Sequence, residues 1–182
     1  MKKSYDMRTN NVKETMILGR RFSDKLQEGM LVVLQGTLGS GKTAFVKGVL
    51  DGFNFSGEVT SPTYTLINEY KSDYNVVHID CYREKNINRW LNIGFVDYLQ
   101  SSNIVIIEWP ENIDQILPDN KIRITFETNF PVPIERARRD LSIGAGLASQ
   151  LLKTNHLWRR RTWLPKAKSV RNISVHISPN FR

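Results

Sequence analysis

The 182-residue chain holds one cysteine, Cys81, so it can form no internal disulfide. That excludes a disulfide-stapled secreted scaffold and agrees with a reducing, cytoplasmic setting. It contains no run of 18 apolar residues, which excludes an ordinary transmembrane helix and a membrane role built on one. The opening Met1-Lys2-Lys3-Ser4-Tyr5-Asp6 lacks the apolar stretch of a secretory signal. There is no internal repeat and no Asn-Lys-x-Asp block of the kind that reads guanine. Acidic residues are nearly missing from 131–182, which carry 11 Lys/Arg against 2 Asp/Glu, whereas 1–130 carry 15 against 16. The net charge of +8 therefore splits into a near-neutral globular part, 1–130, and a basic extension, 131–182.

What is present is concentrated in Gly36-Thr37-Leu38-Gly39-Ser40-Gly41-Lys42-Thr43, a complete G-x-x-x-x-G-K-[ST] phosphate loop. Glycine lets backbone N–H groups approach an anion closely, and the following helix N-terminus adds partial positive charge. Lys42 supplies a full charge for β and γ phosphates, and the Thr43 hydroxyl is the expected Mg²⁺ ligand. The context agrees. Met30-Leu31-Val32-Val33-Leu34 reads as a strand buried on both faces, and Phe45, Val46, Val49, Leu50 and Phe53 recur at helical spacing behind the loop. Gly36, Leu38, Gly39, Ser40, Gly41, Lys42, Thr43 and Ala44 are the expected nucleotide contacts.

Elsewhere, Asn11 and Glu14 predict a helix start, Leu18, Phe22 and Leu26 continue it, and Gly29 ends it. Residues 65–70 and 76–80 flank a polar stretch and predict a hairpin. Residues 86–99 predict one or two short helices interrupted at Gly94. Ile104-Val105-Ile106-Ile107 is a second apolar strand, and 121–128 alternates strictly, as a strand with one wet face. Beyond 129 the pattern fails: Pro131 and Pro133 break strands, Arg136-Ala137-Arg138-Arg139 and Arg159-Arg160-Arg161 are basic clusters, and poor order or partial helix is expected.

A triphosphate site also needs acids at the carboxyl ends of strands beside the loop. Asp80 and Glu108 occupy such places, each closing an apolar run. An acid there also serves simply to end a strand.

Three further blocks follow the loop in order: Val59-Thr60-Ser61-Pro62-Thr63-Tyr64, His78-Ile79-Asp80-Cys81-Tyr82-Arg83 and Glu108-Trp109-Pro110-Glu111. With the loop they closely resemble the TsaE (YjeE) family over about residues 11–128. The resemblance implies an α/β, P-loop NTPase-like three-layer fold: a mostly parallel sheet with an antiparallel hairpin, flanked by helices. It implies an ATPase that uses ATP and Mg²⁺ and acts with TsaB and TsaD in making threonylcarbamoyladenosine at position 37 of tRNAs reading codons that begin with A. Such a protein is expected to be a monomer alone, or weakly self-associating, and to meet tRNA indirectly. By the same resemblance Lys42 and Thr43 hold phosphates and Mg²⁺, and Glu108 is a second magnesium ligand, directly or through water. Asp80 assists magnesium or the attacking water. Residues 60–64 form a nucleotide-sensitive switch with Thr63 as its polar contact. Trp109 either lies near the nucleotide or belongs to the core.

The chain departs from the family pattern at Thr37, commonly Asp; at Ala44, commonly a second Thr; at Met30 in Gly29-Met30, commonly Gly-Asp; and at Cys81, commonly Leu. None of these changes removes a group on which phosphate chemistry depends. Three functions compete. One is an ATPase that resets a partner complex, slow alone, with an arginine finger supplied by Arg83 or by a partner. Another is a small-metabolite kinase with Asp80 as base. The last is a non-catalytic module, gated by nucleotide or binding RNA through its basic tail, where Trp158 and Trp163 would stack on bases.

Overall fold

In the computed structural model residues 3–128 and 171–177 are described. The first helix, α1 (Val12–Ser23), begins where the sequence predicts: the Glu14 backbone N–H donates to the Asn11 side chain at 2.9 Å, and the Glu14 carboxylate accepts the Asn10 backbone N–H at 2.7 Å. It stops well short of Gly29, at Ser23. Leu26 still reaches the core, through a turn in which its N–H donates to the Ser23 carbonyl at 2.9 Å.

Strand β2 (Leu31–Gly36) leads through the loop into α2 (Lys42–Gly52). Then come the hairpin strands β3 (Ile67–Lys71) and β4 (Asn75–Asp80), two short helices α3 (Ile87–Asn92) and α4 (Phe95–Gln100) parted at Gly94, and β5 (Ile104–Glu108). Two 3₁₀ turns, Pro110–Asn112 and Asp114–Ile116, precede β6 (Ile122–Thr128). Strand β3 begins later than the sequence pattern implies because Leu66 adopts a left-handed φ of 69° and its N–H turns back to the Pro62 carbonyl.

With β1 (Lys3–Thr9) and β7 (Arg171–Ile177) the sheet has seven strands in the order β1-β7-β6-β2-β5-β4-β3. The central four, β6-β2-β5-β4, are parallel, while β3 and the β7–β1 wing run antiparallel at the edges. Alternation along β2 supplies two cores. Val32 and Leu34 join Phe45, Val46, Val49 and Leu50 of α2 on one face, and Leu31 and Val33 join Trp90, Phe95 and Ile113 on the other. This is the expected three-layer α/β architecture. Among the described residues no helix is long and apolar enough to cross a membrane.

Two strands are absent from the sequence reading. Strand β1 is mostly polar, although Met7 packs on the core and Thr9 is buried with its hydroxyl 2.9 Å from that of Thr15. Strand β7 falls within the predicted basic extension, yet it pairs with β1 and β6 along its whole length and buries Ile173. The basic clusters at 136–139 and 159–161, with Trp158 and Trp163, lie outside the described residues.

Helix α2 is held against α1 by backbone approach rather than by large side chains. A Cβ built on Gly48 would collide with the Met16 carbonyl, and one on Gly19 with the Phe45 carbonyl. In an open helix Gly→Ala stabilises by about 1 kcal/mol. Here the sign reverses: Gly48→Ala is expected to cost about 1–3 kcal/mol through forced separation of the helices. Thermal denaturation checks this, with Ala at exposed Lys47 as the control that does not fall.

Candidate nucleotide site

Parallel pairing brings the carboxyl ends of β2, β4 and β5 to one end of the sheet. Asp80 and Glu108 are register partners as the last residues of adjacent strands, and Leu34 of β2 is the partner of Glu108 on its other side. The loop leaves β2 two residues later. Gly36 and Gly41 have φ of 149° and 110°, and a Cβ at Gly36 would meet the Phe126 carbonyl and the Ser40 hydroxyl. The loop is therefore a backbone cradle closed to side chains at that point.

Lys42 is 4% exposed. Its Nζ donates to the carbonyls of Gly36 at 2.9 Å and Thr37 at 3.1 Å, and lies 4.0 Å from the centre of the Trp109 ring. Burial lowers its pKa, against the opposing fields of Glu108, Asp80 and Glu111. The Trp109 ring packs with the second core, lies tilted against Tyr82 at 4.8 Å between ring centres, and covers the loop lysine. Its own φ of 60° starts the 3₁₀ turn after β5.

The Thr43 hydroxyl donates to Glu108 Oε1 at 2.8 Å. The same oxygen lies 3.0 Å from His78 Nε2, and His78 is fully buried. Burial alone would push the Glu108 carboxyl up. The hydrogen bond and charge of His78, then Lys42 and Thr43, outweigh it and hold the carboxyl below its ordinary 4.5.

Asp80 faces a different set of donors. Its Oδ2 accepts from the hydroxyls of Ser61 and Thr63, both at 2.7 Å, and its Oδ1 accepts the Tyr82 backbone N–H at 2.9 Å. Residues 60–64 are thus fastened to the end of β4. Arg83 sits 4.2 Å over the Tyr64 ring, which is 71% exposed. The neighbouring Cys81 thiol is buried, and burial followed by the Asp80 and Glu111 charges pushes it up, so it serves as packing.

Lys42, Thr43, Glu108 and Trp109 are thereby brought together, with Asp80 and Thr63 paired beside them. Leu38, Gly39, Ser40, Gly41 and Ala44 complete the loop and the first turn of α2. Sequence reasoning assigned no role to His78 or Tyr82, and none to Ser61 beyond its place in the 60–64 switch. The signal for His78 was available: it stands two residues before Asp80 on a strand, hence on the same face.

The cradle suits a phosphate. Among the described residues the Ser40 hydroxyl in the loop is a buried polar atom without a partner, and a Cβ at Gly36 would crowd it. The donor set suits a small hard dication held largely by phosphate oxygens and water, since Mg²⁺ is commonly bound through only one or two carboxylates. Among the described residues no cluster of three His, Cys, Asp or Glu could hold a metal by itself.

A family model described as "Threonylcarbamoyl adenosine biosynthesis protein TsaE" matches residues 9–137. The chain belongs to the TsaE family. The TsaE match takes in α1, the loop, residues 60–64, the hairpin and β5 with Glu108 and Trp109. Relatives called tRNA threonylcarbamoyladenosine biosynthesis protein TsaE include that of Treponema pallidum (strain Nichols), 38% identical over 100 residues covering 55% of this chain and 74% of that protein. The one from Bacillus subtilis (strain 168) is 30% identical over 126 residues, 69% of this chain and 78% of that protein. The crystal structure of Bacillus subtilis YdiB superposes with a TM-score of 0.66 at 22% identity, over 99% of this chain and 89% of that chain, and so shows the same fold.

The Glu108 environment has a pH consequence. A carboxyl held below its ordinary value stabilises the fold above pH 4.5, and this contribution is lost as pH falls through the folded-state value. Urea denaturation from about pH 7 to about pH 3 is expected to show the stability advantage of wild type over Glu108→Gln shrinking on acidification.

Proposed function

We propose that this TsaE-family protein is a Mg²⁺-dependent ATPase of the cytoplasm that supports threonylcarbamoyladenosine formation on tRNA by driving or resetting a complex of TsaB and TsaD homologues. The observation that carries the reading is the Thr43–Glu108 hydrogen bond at 2.8 Å beside a buried loop lysine, which joins the phosphate loop to the strand-end acid. Magnesium, when bound with the triphosphate, would draw charge from the β and γ phosphoryl oxygens.

The chain's own groups have separable tasks. Lys42 would exchange the Gly36 and Thr37 carbonyls for phosphate oxygens, which compensate its burial better than neutral carbonyls do. The loop N–H groups and the start of α2 would bind phosphate oxygens without a counter-charge to remove. Thr43 would offer a lone pair to the cation while its O–H continues to donate to Glu108. Asp80 would orient water or the cation's hydration shell, through the lone pair left on Oδ1 or by exchange of Oδ2 with Ser61 and Thr63. That exchange makes residues 60–64 sensitive to what occupies the loop.

The kinase reading asks Asp80 to accept a substrate hydroxyl proton. Its oxygens already accept from Ser61, Thr63 and the Tyr82 N–H, and no observation favours that reading over the switch. RNA binding by the basic clusters concerns residues outside those described.

Phosphate release from ATP tests the proposal. Turnover is expected to be slow alone and to rise with TsaB and TsaD; a transition-state arginine supplied in trans contributes on the order of 10³–10⁵. Lys42→Ala and Glu108→Ala are each expected to lose about 10²-fold or more. Partner-independent rates, or unchanged release in Lys42→Ala, would overturn it.

A further inference from the structure

Glu108 lies at the end of β5, 3% exposed, and both side-chain donors that reach it converge on Oε1: Thr43 Oγ1 at 2.8 Å and His78 Nε2 at 3.0 Å. Thr43 belongs to the phosphate loop helix, but His78 does not touch the loop. It stands on β4 opposite Ile106, one pleat back from the Asp80–Glu108 register pair, and reaches diagonally across to the acid. Its ring is fully buried near Tyr70, at 6.5 Å between ring centres. Among the described residues its Nδ1 is a buried polar atom with no partner.

That orphan atom is informative. Burying a polar atom without a partner is costly, so an apolar ring of the same shape would serve the core better. What the imidazole supplies and an apolar ring cannot is one N–H aimed at Glu108. We propose that His78 is a positioning residue: by donating Nε2–H to Glu108 Oε1 it fixes the carboxylate so that Oε2, which takes neither hydrogen bond, is presented to the cation. This rests on the nucleotide reading above. Groups that orient a metal-binding carboxylate typically contribute 10–100-fold in metal affinity.

The test uses the full chain, a non-hydrolysable ATP analogue and Mn²⁺ titrated by electron paramagnetic resonance. His78→Leu is expected to raise the Mn²⁺ half-saturation about tenfold or more, with the metal-free affinity for the analogue unchanged. His78→Gln, whose amide N–H can occupy the Nε2 position, is expected to restore it to within about twofold. In the wild-type protein without nucleotide, nitrogen NMR of the imidazole is expected to show a proton on Nε2. Unchanged half-saturation in His78→Leu while Glu108→Gln shifts it, failure of His78→Gln to rescue, or a ring protonated on Nδ1 alone would each overturn the assignment. Wild-type protein that binds no analogue would instead overturn the nucleotide reading, and the NMR result would stand apart from it.

Discussion

A carboxylate taken out of water must be given donors, and Glu108 is the buried charge around which this fold is arranged. Its partners come from far apart in the sequence: Thr43 from the start of α2 and His78 from the middle of β4. They can meet only if β4 lies parallel to β5, β5 parallel to β2, and the loop turns back over the strand ends. A slip of one residue in β4 would move His78 to the opposite face and leave Glu108 short of a donor. Strand order, register and loop geometry thus converge on one oxygen atom.

The second acid is held by a different kind of structure. Asp80 is fastened by hydroxyls from a connecting loop rather than by strand or helix residues. Loops that depend on a few hydrogen bonds near the surface open more readily than packed strands. The two acids are thus held differently, Glu108 by Thr43 and His78 of regular elements and Asp80 by residues 60–64 of a loop. Tyr64, paired with Arg83, carries this loop out to the surface.

Much of this was readable from residue pattern because the central strands are unambiguous. Val32, Val33 and Leu34 are apolar on successive residues, as burial on both faces demands, and 122–126 alternates as one-sided burial demands. The loop announces itself through glycine and lysine spacing. The rest depended on long-range contacts that leave little local trace. Strand β1 is polar and finds its place through pairing with β7. The helix-to-helix approach at Gly48 looks like a propensity defect until Met16 is seen against it. His78 sat inside a recognised block, but its task became visible only once β4 and β5 were in register. Trp109 packs with the second core and also lies over Lys42, two contacts that its place in the sequence does not separate.

Strand order also constrains how the molecule can be assembled as it is synthesised. The phosphate loop, both acids and their donors are all contained in chain made by residue 128, and β3 to β6 can pair without anything that follows. Strand β1, made first, has no place beside β6 until β7 is inserted between them, because β7 is its sheet neighbour. Of the described strands, β1 can therefore join the sheet only after β7 has been made. The β1–β7 wing is thus separated in synthesis from the strands that carry the phosphate loop and both acids.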